Sequence, residues 1–250
     1  MAQAGQSVHI GCAFSLIEIA HVIYSKLVDV KKIQNLEPDR DYICLSKGHG
    51  VMAIYSCLLE LGMIKEEEIN NYFSDGSSLT GLADSHVPGV EVSGGSLGQG
   101  ITVAVGIALS KKLDKSNSKV YCIVGDGEIN EGSAWEAIMI AAQQKLSNFI
   151  LVVDANKYQA MGTCESVLNM EPFKGKFESF NFETIECNGH DISELEKSFK
   201  TLINSTSEKP KVIIARTVKG KGISFMEENN IWHYTRLTKE IYEQAIKELN

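Results

Sequence analysis

Apolar positions along this chain follow two alternating patterns. Short unbroken runs mark candidate strands: Tyr42-Ile43-Cys44-Leu45 reads as a short strand or extended run, and Tyr121-Cys122-Ile123-Val124 and Phe149-Ile150-Leu151-Val152-Val153 predict strands, the former buried and the latter β-rich. The last two centre on 119–124 and 149–153, and further strands are predicted at about 183–187 and 211–216. The intervening segments have helical spacing. Ser15-Leu16-Ile17-Glu18 has the spacing of a capping box and predicts a helix running to about Val28. Val51 to Leu61, Lys65 to Phe73, Glu131 to Lys145 and Leu237 to Leu249 also read as helices. Leu97 to Leu113, rich in Ala, Gly, Val and Ile with little charge before Lys111, predicts a buried helix packed closely on a neighbour. Strands alternating with helices define an α/β fold: a mainly parallel sheet with helices on both faces. Residues 157–180 lack clear periodicity and read as a functional or a mobile loop. There is no repeat, low-complexity tract or linker, so 1–250 reads as one domain.

Composition narrows the function class. A chain of 250 residues, 44% hydrophobic, can bury a full α/β core. A net charge of -8 with no sustained Lys/Arg run argues against nucleic acid or an anionic membrane as principal partner. Cys12, Cys44, Cys57, Cys122, Cys164 and Cys187 show no paired short spacing and predict free thiols in a reducing compartment. Met1-Ala2-Gln3-Ala4 lacks the basic start and apolar core of a signal peptide, and no apolar run approaches membrane-spanning length. The expected location is cytoplasmic.

The candidate chemistry lies where the predicted strands end. Val124-Gly125-Asp126-Gly127 delivers a carboxylate to a tight turn at the carboxyl edge of the sheet, where glycines let backbone N–H groups approach an anion. The helical segment that follows adds partial positive charge at its N-terminus. The next strand ends in Asp154-Ala155-Asn156, so two neighbouring parallel strands present Asp126 and the Asn156 amide at one edge. A carboxylate and an amide oxygen suit a hard divalent cation that keeps phosphate oxygens in its shell.

Strand, Gly-Asp-Gly, helix, strand and Asn together resemble the thiamine diphosphate fingerprint, and the chain resembles the N-terminal half of transketolase from about Ser7 to Glu240. His9-Ile10-Gly11, Leu45 to Gly50, Pro88 to Gly100, Lys219-Gly220-Lys221-Gly222 and Trp232-His233 are similar to that family's motifs and stand in its order. The resemblance implies the diphosphate-binding domain of the thiamine diphosphate-binding fold. The implied cofactors are thiamine diphosphate and Mg2+ (or Ca2+/Mn2+). The implied metal ligands are Asp126, Asn156 and the backbone carbonyl of Tyr158. Implied cofactor contacts come from His49, Gly94, Gly95, Ser96, Leu97, Gly125, Asp126, Gly127, Glu131, Asn156 and His233. His9, His49 and His233 are the implied catalytic histidines, with His86 a further candidate.

By the same resemblance, the reaction moves a two-carbon ketol unit from a ketose or ketose phosphate donor to an aldehyde acceptor. The pyrimidine-binding domain of the family is expected on a separate C-terminal subunit, giving an α2β2 heterotetramer with cofactor at the shared interface. Glu131 matches a family glutamate near that interface, and it equally suits helix capping. Some residues depart from the family. Val8 precedes His9 where glycine is usual, and Tyr234 follows His233 where glycine is common. Leu82 stands where the family carries the histidine of Gly-His-Pro, and His86 either replaces that histidine from a shifted loop or is a plain loop residue. A thiamine diphosphate-dependent acyl or ketol transferase acting on an unusual sugar in carbohydrate biosynthesis is therefore the second reading. A non-catalytic homologue is the third, and retention of Asp126, Asn156, His9, His49 and His233 argues against it. His21 and His190 read as ordinary helix and turn residues.

Overall fold

The structure is a computed structural model describing residues 1–5 and 7–249, so the expected domain, 1–250, is described except at Gln6 and Asn250. In chain order it runs β1 (Ser7–Val8), α1 (Ile10–Phe14), α2 (Ile17–Val22), a π-helical turn (Ile23–Leu27), α3 (Val30–Gln34), β2 (Tyr42–Leu45), α4 (Val51–Glu60) and α5 (Glu66–Asn70). Then come α6 (Gln99–Leu113), β3 (Val120–Gly125), α7 (Gly132–Gln143), β4 (Phe149–Ala155), β5 (Tyr158–Gln159), β6 (Gly162–Thr163), α8 (Cys164–Val167) and α9 (Phe173–Ser179). The chain closes with β7 (Glu183–Asn188), α10 (Ile192–Ile203), β8 (Lys211–Arg216), β9 (Thr235–Arg236) and α11 (Lys239–Leu249).

Five strands form the central sheet in the order β2-β3-β4-β8-β7, every pair parallel. Alternate side chains feed two cores. Ile43, Leu45, Tyr121, Ile123, Ile150, Val152 and Ile213 face one; Cys44, Val120, Cys122, Val124, Leu151, Val153 and Ile214 face the other. The unbroken apolar runs are thus strands covered on both faces, as a parallel sheet requires. Register places Gly125 beside Asp154 and Ala155 beside Arg216, so three strands end together at the carboxyl edge. The six cysteines are free thiols. Among the described residues no helix is long and apolar enough to cross a membrane.

Three expectations need correction. The helix from Ser15 to Val28 is instead α1, α2 and a π-helical turn, and Leu16, not Ser15, holds the N-cap position of α2, without a side-chain bond. The Ser15 hydroxyl is committed elsewhere, donating to Asp154 at 2.6 Å and lying 3.0 Å from the Cys12 carbonyl. The helix read at Leu97 to Leu113 exists as α6, but one face stays open: Gln99, Val103, Gly106 and Ser110 are exposed. Residues 157–180 are ordered by the β5–β6 hairpin, α8 and α9, with Phe173 and Phe177 anchored in the core.

Candidate active site

The carboxyl edge gathers groups from several elements. Asp126 follows β3 and is buried; its carboxylate accepts the Gly127 N–H at 2.9 Å and the Lys157 N–H at 2.5 Å. Burial, with Asp154 nearby, pushes its carboxyl up to about 6. Asn156 follows β4, its Oδ1 accepting the Tyr158 N–H at 3.0 Å and its Nδ2 donating to Asp154 at 3.3 Å. Asp126 and Asn156 are therefore fixed by backbone donors while each oxygen keeps acceptor capacity.

Beneath them Asp154 is fully buried in an ion pair with Lys47, and the Ser15 and Thr217 hydroxyls donate to the same carboxylate. Burial opposes the charge on both partners, yet their mutual attraction and hydrogen bonds win: Lys47 is shifted up and Asp154 down. Four satisfied partners make the buried charge tolerable. Glu128, also buried, accepts Ser46 Oγ at 2.5 Å, the Gly98 N–H at 2.8 Å and the Gly125 N–H at 3.3 Å, stitching three loops together.

Three histidines converge over this floor. The antiparallel pairing of Val8 with Thr235 brings His9 to His233, and His49 arrives from the turn before α4. Ring centroids lie 5.2 Å apart for His9–His49 and 5.6 Å for each contact with His233. Tyr234 packs its ring 4.6 Å from His9. Burial, reinforced by Lys219, lowers His9 to about 4 and His233 to about 3, and burial with Lys47 drives His49 well down. All three are neutral at pH 7, able to donate and accept hydrogen bonds.

Lys219 completes the cluster. It is fully buried, with Nζ 2.7 Å from His233 Nδ1, 3.2 Å from Asn230 Oδ1 and 5.7 Å from the Tyr158 ring centroid. Among the described residues no carboxylate lies within ion-pair distance of it, and burial lowers its pKa. Gln159 Nε2 is also buried without a partner. A buried ammonium and an orphaned amide beside one cavity are donors that an anion would satisfy.

An inner cavity of about 370 Å³ is lined by Lys47, His49, Leu97, Gly125, Asp126, Gly127, Asn156, Tyr158, Gln159 and His233. It meets an outer cleft of about 960 Å³, lined by Gly94, Ser96, Val103 and Tyr234, and both share His9, Leu82 and Gly95. At the wall of this throat the chain passes so close to itself that a Cβ on Gly48 would stand 2.5 Å from the Gly94 backbone, and one on Gly94 2.9 Å from the Leu45 carbonyl. Only glycine fits both.

Most of the sequence-predicted residues are brought together here. His86 lines neither cavity: its Nδ1 pairs at 3.0 Å with Asp84, which does line the outer cleft, and its Nε2 meets the Ser78 carbonyl at 2.6 Å. The reading of His86 as a replacement for the family histidine at Leu82 therefore lacks a geometric basis. Leu82 itself lines the throat. Glu131 sits exposed at the N-cap of α7 without a side-chain capping bond, so its capping reading is not realised. Sequence reading passed over Lys47, Lys219, Asp154, Glu128 and Gln159. A lysine inside each of two glycine-containing motifs was the one hint, and it does not separate buried Lys219 from exposed Lys221 in the same motif.

A parallel α/β sheet whose carboxyl edge joins Asp126, Asn156, glycine turns and a buried ammonium defines a diphosphate-binding domain. Comparison with known proteins makes this specific: the family described as transketolase, thiamine diphosphate binding domain matches residues 1–249, and the chain belongs to the transketolase family. It is 37% identical over 242 residues to an apulose-4-phosphate transketolase subunit of Phocaeicola vulgatus, covering 97% of this chain and 86% of that one. The corresponding apulose-4-phosphate transketolase subunit of Actinobacillus succinogenes is 39% identical over 242 residues, covering 96% and 87%. Transketolase from Leishmania mexicana superposes with a TM-score of 0.88 at 27% identity, covering 99% of this chain and 39% of that chain. The chain is thus a thiamine diphosphate-dependent transferase chain of the N-terminal transketolase type.

Proposed function

We propose that the chain, as a single diphosphate-binding domain, holds thiamine diphosphate and a divalent cation for transfer of a two-carbon ketol unit from a ketose phosphate to an aldehyde. The observation that carries this reading is Lys219, a fully buried ammonium with no carboxylate in ion-pair distance among the described residues, set beside neutral His233 and the Asp126–Asn156 pair. Asp126, Asn156 and the Tyr158 carbonyl would hold the cation, Mg2+ or its Ca2+ and Mn2+ analogues. A cation there offsets the burial that raises the Asp126 carboxyl. Lys219, His233, His49 and the turn at Gly125 to Gly127 would hold the diphosphate, and Gly94 to Leu97 would face the rest of the cofactor. When bound, the cofactor supplies the electron sink for carbon–carbon cleavage and reformation. His9, His49 and His233, neutral at the throat, orient donor oxygens and move protons at them.

The partner we propose is a C-terminal subunit carrying the pyrimidine-binding domain, in an α2β2 assembly. Support comes from the two bacterial relatives, each named as one subunit of its transketolase, and from the open side of α6 and α7, where Val103, Met139 and Ile140 are exposed. Leu82 at the throat favours an unusual sugar as substrate, and the relatives' apulose-4-phosphate is the first to try.

Calorimetry on the chain purified with its partner tests the site. Thiamine diphosphate should bind only with Mg2+ present, and binding should collapse in Asp126→Ala. Undiminished affinity in that variant would sink the assignment.

A further inference from the structure

One histidine outside the cluster is wired to it. His190, in the turn between β7 and α10, accepts the backbone N–H of Val218 on Nε2 at 2.8 Å and meets Glu18 Oε2 through Nδ1 at 3.1 Å. A backbone N–H can only donate, so Nε2 carries a lone pair; the proton of the neutral ring is then on Nδ1, donated to Glu18. Imidazole and carboxylate are both mostly shielded, with 12% and 24% of their side-chain surfaces exposed. The geometry fixes the tautomer.

The neighbourhood leaves the turn no slack. Gly189 N–H donates to the Arg216 carbonyl at 2.8 Å, and a Cβ on Gly189 would stand 2.4 Å from Thr217 Cγ2. Downstream, Gly220 N–H donates to the Gly11 carbonyl at 3.0 Å. Val218 lies between these anchors, one residue before Lys219, and its amide is held by the His190 ring. Glu18 belongs to α2, whose neighbour α1 carries Cys12, 3.9 Å from His233.

We propose that His190 is a positioning residue for Lys219: held by Glu18 in the Nδ1–H tautomer, it fixes the Val218 amide and so holds the Lys219 ammonium against His233 at the edge of the inner cavity. This rests on the reading that the cavity takes a diphosphate. The ring is a rigid spacer of the right length, replacing a water that would leave the lysine's backbone free to shift by fractions of an ångström. Small displacements of a buried ammonium matter because its attraction for an anion is little screened there.

Two measurements test this separately from the cofactor reading. Imidazole 15N NMR of the chain should show His190 as the Nδ1–H tautomer with Nε2 hydrogen-bonded; an Nε2–H tautomer would overturn the clasp whether or not any cofactor binds. Affinity for thiamine diphosphate with Mg2+, measured on the chain with its partner, supplies the second. Gln places its amide oxygen where Nε2 stands and Asn does not, so His190→Gln should keep affinity within about twofold of wild type while His190→Asn loses about tenfold. In a Lys219→Met background the Asn substitution should cost less than about twofold, because the group it positions is gone. Equal losses in both backgrounds, or in both the Gln and Asn variants, would reduce His190 to a general structural residue. Absence of binding in the wild type would instead overturn the cofactor reading, leaving the tautomer to decide the clasp.

Discussion

The three clustered histidines are neutral because they are buried next to lysines, and this sets their pH behaviour. His9 at about 4 and His233 at about 3 lie below the ordinary value of 6.5 that they regain on unfolding. Below pH 6.5 the unfolded chain takes up protons that the folded chain refuses. Their contribution to stability is therefore complete above 6.5 and is lost as pH falls toward 4 and 3. Urea unfolding should show His233→Gln losing less stability than wild type between pH 7.5 and 5.0; equal losses would contradict the assignment. His86 behaves oppositely, since its hydrogen bonds to Asp84 and the Ser78 carbonyl raise it, so at pH 6.5 its ring should be the more protonated by proton NMR. Leu82 is the other residue with a direct consequence. An apolar side chain at the throat offers a substrate hydroxyl no partner, whereas a histidine there rewards one. Leu82→His should raise kcat/KM for a ketose phosphate hydroxylated at the carbon facing residue 82, relative to its deoxy analogue, by about tenfold or more. An unchanged ratio in steady-state kinetics would remove Leu82 as a specificity determinant.

Among the elements, the break between α1 and α2 is the most instructive. Ser15 and Glu18 have the spacing of a capping box, and in isolation Ser15 would cap. In the fold its hydroxyl donates to Asp154, whose charge is buried with Lys47, and a buried carboxylate left without that donor costs more than a helix end whose N–H groups can find other acceptors. Ser15→Ala should therefore destabilise by about 1–3 kcal/mol in urea unfolding, more than the loss of an ordinary exposed cap at the low end of its range. A change below about 0.5 kcal/mol would mean that the Asp154 bond carries no weight. Helix α6 teaches the converse. Its low charge predicted full burial, but residues on one stripe, including Val103, remain exposed. A helix apolar all round has two surfaces to cover, and this sheet covers one. Val103→Asp should abolish co-purification with the partner subunit while leaving the melting temperature of the chain nearly unchanged. Retained co-purification would move the interface elsewhere.

Across the whole molecule, β2, β3, β4 and β8 were legible because a parallel sheet buries both faces of its inner runs, and unbroken apolar runs have few other uses, whereas the edge strand β7 is only partly buried. Asp126 and Asn156 were legible for a related reason: strand ends at one edge are the positions where a turn can offer polar atoms to a ligand. His9, His49 and His233 were legible only through resemblance, since the first and last stand near opposite ends of the chain and no spacing rule relates them. The sequence by itself thus determined the layered α/β class, the strands and the diphosphate turn, all consequences of local pattern and chain order. Tertiary structure alone decided which polar side chains share a charge: that Ser15 serves Asp154, that Lys219 meets His233, that His86 pairs with Asp84, and that His190 holds the loop of Lys219. Those outcomes depend on distances between segments remote in the chain, and burial makes each of them costly to leave unsatisfied.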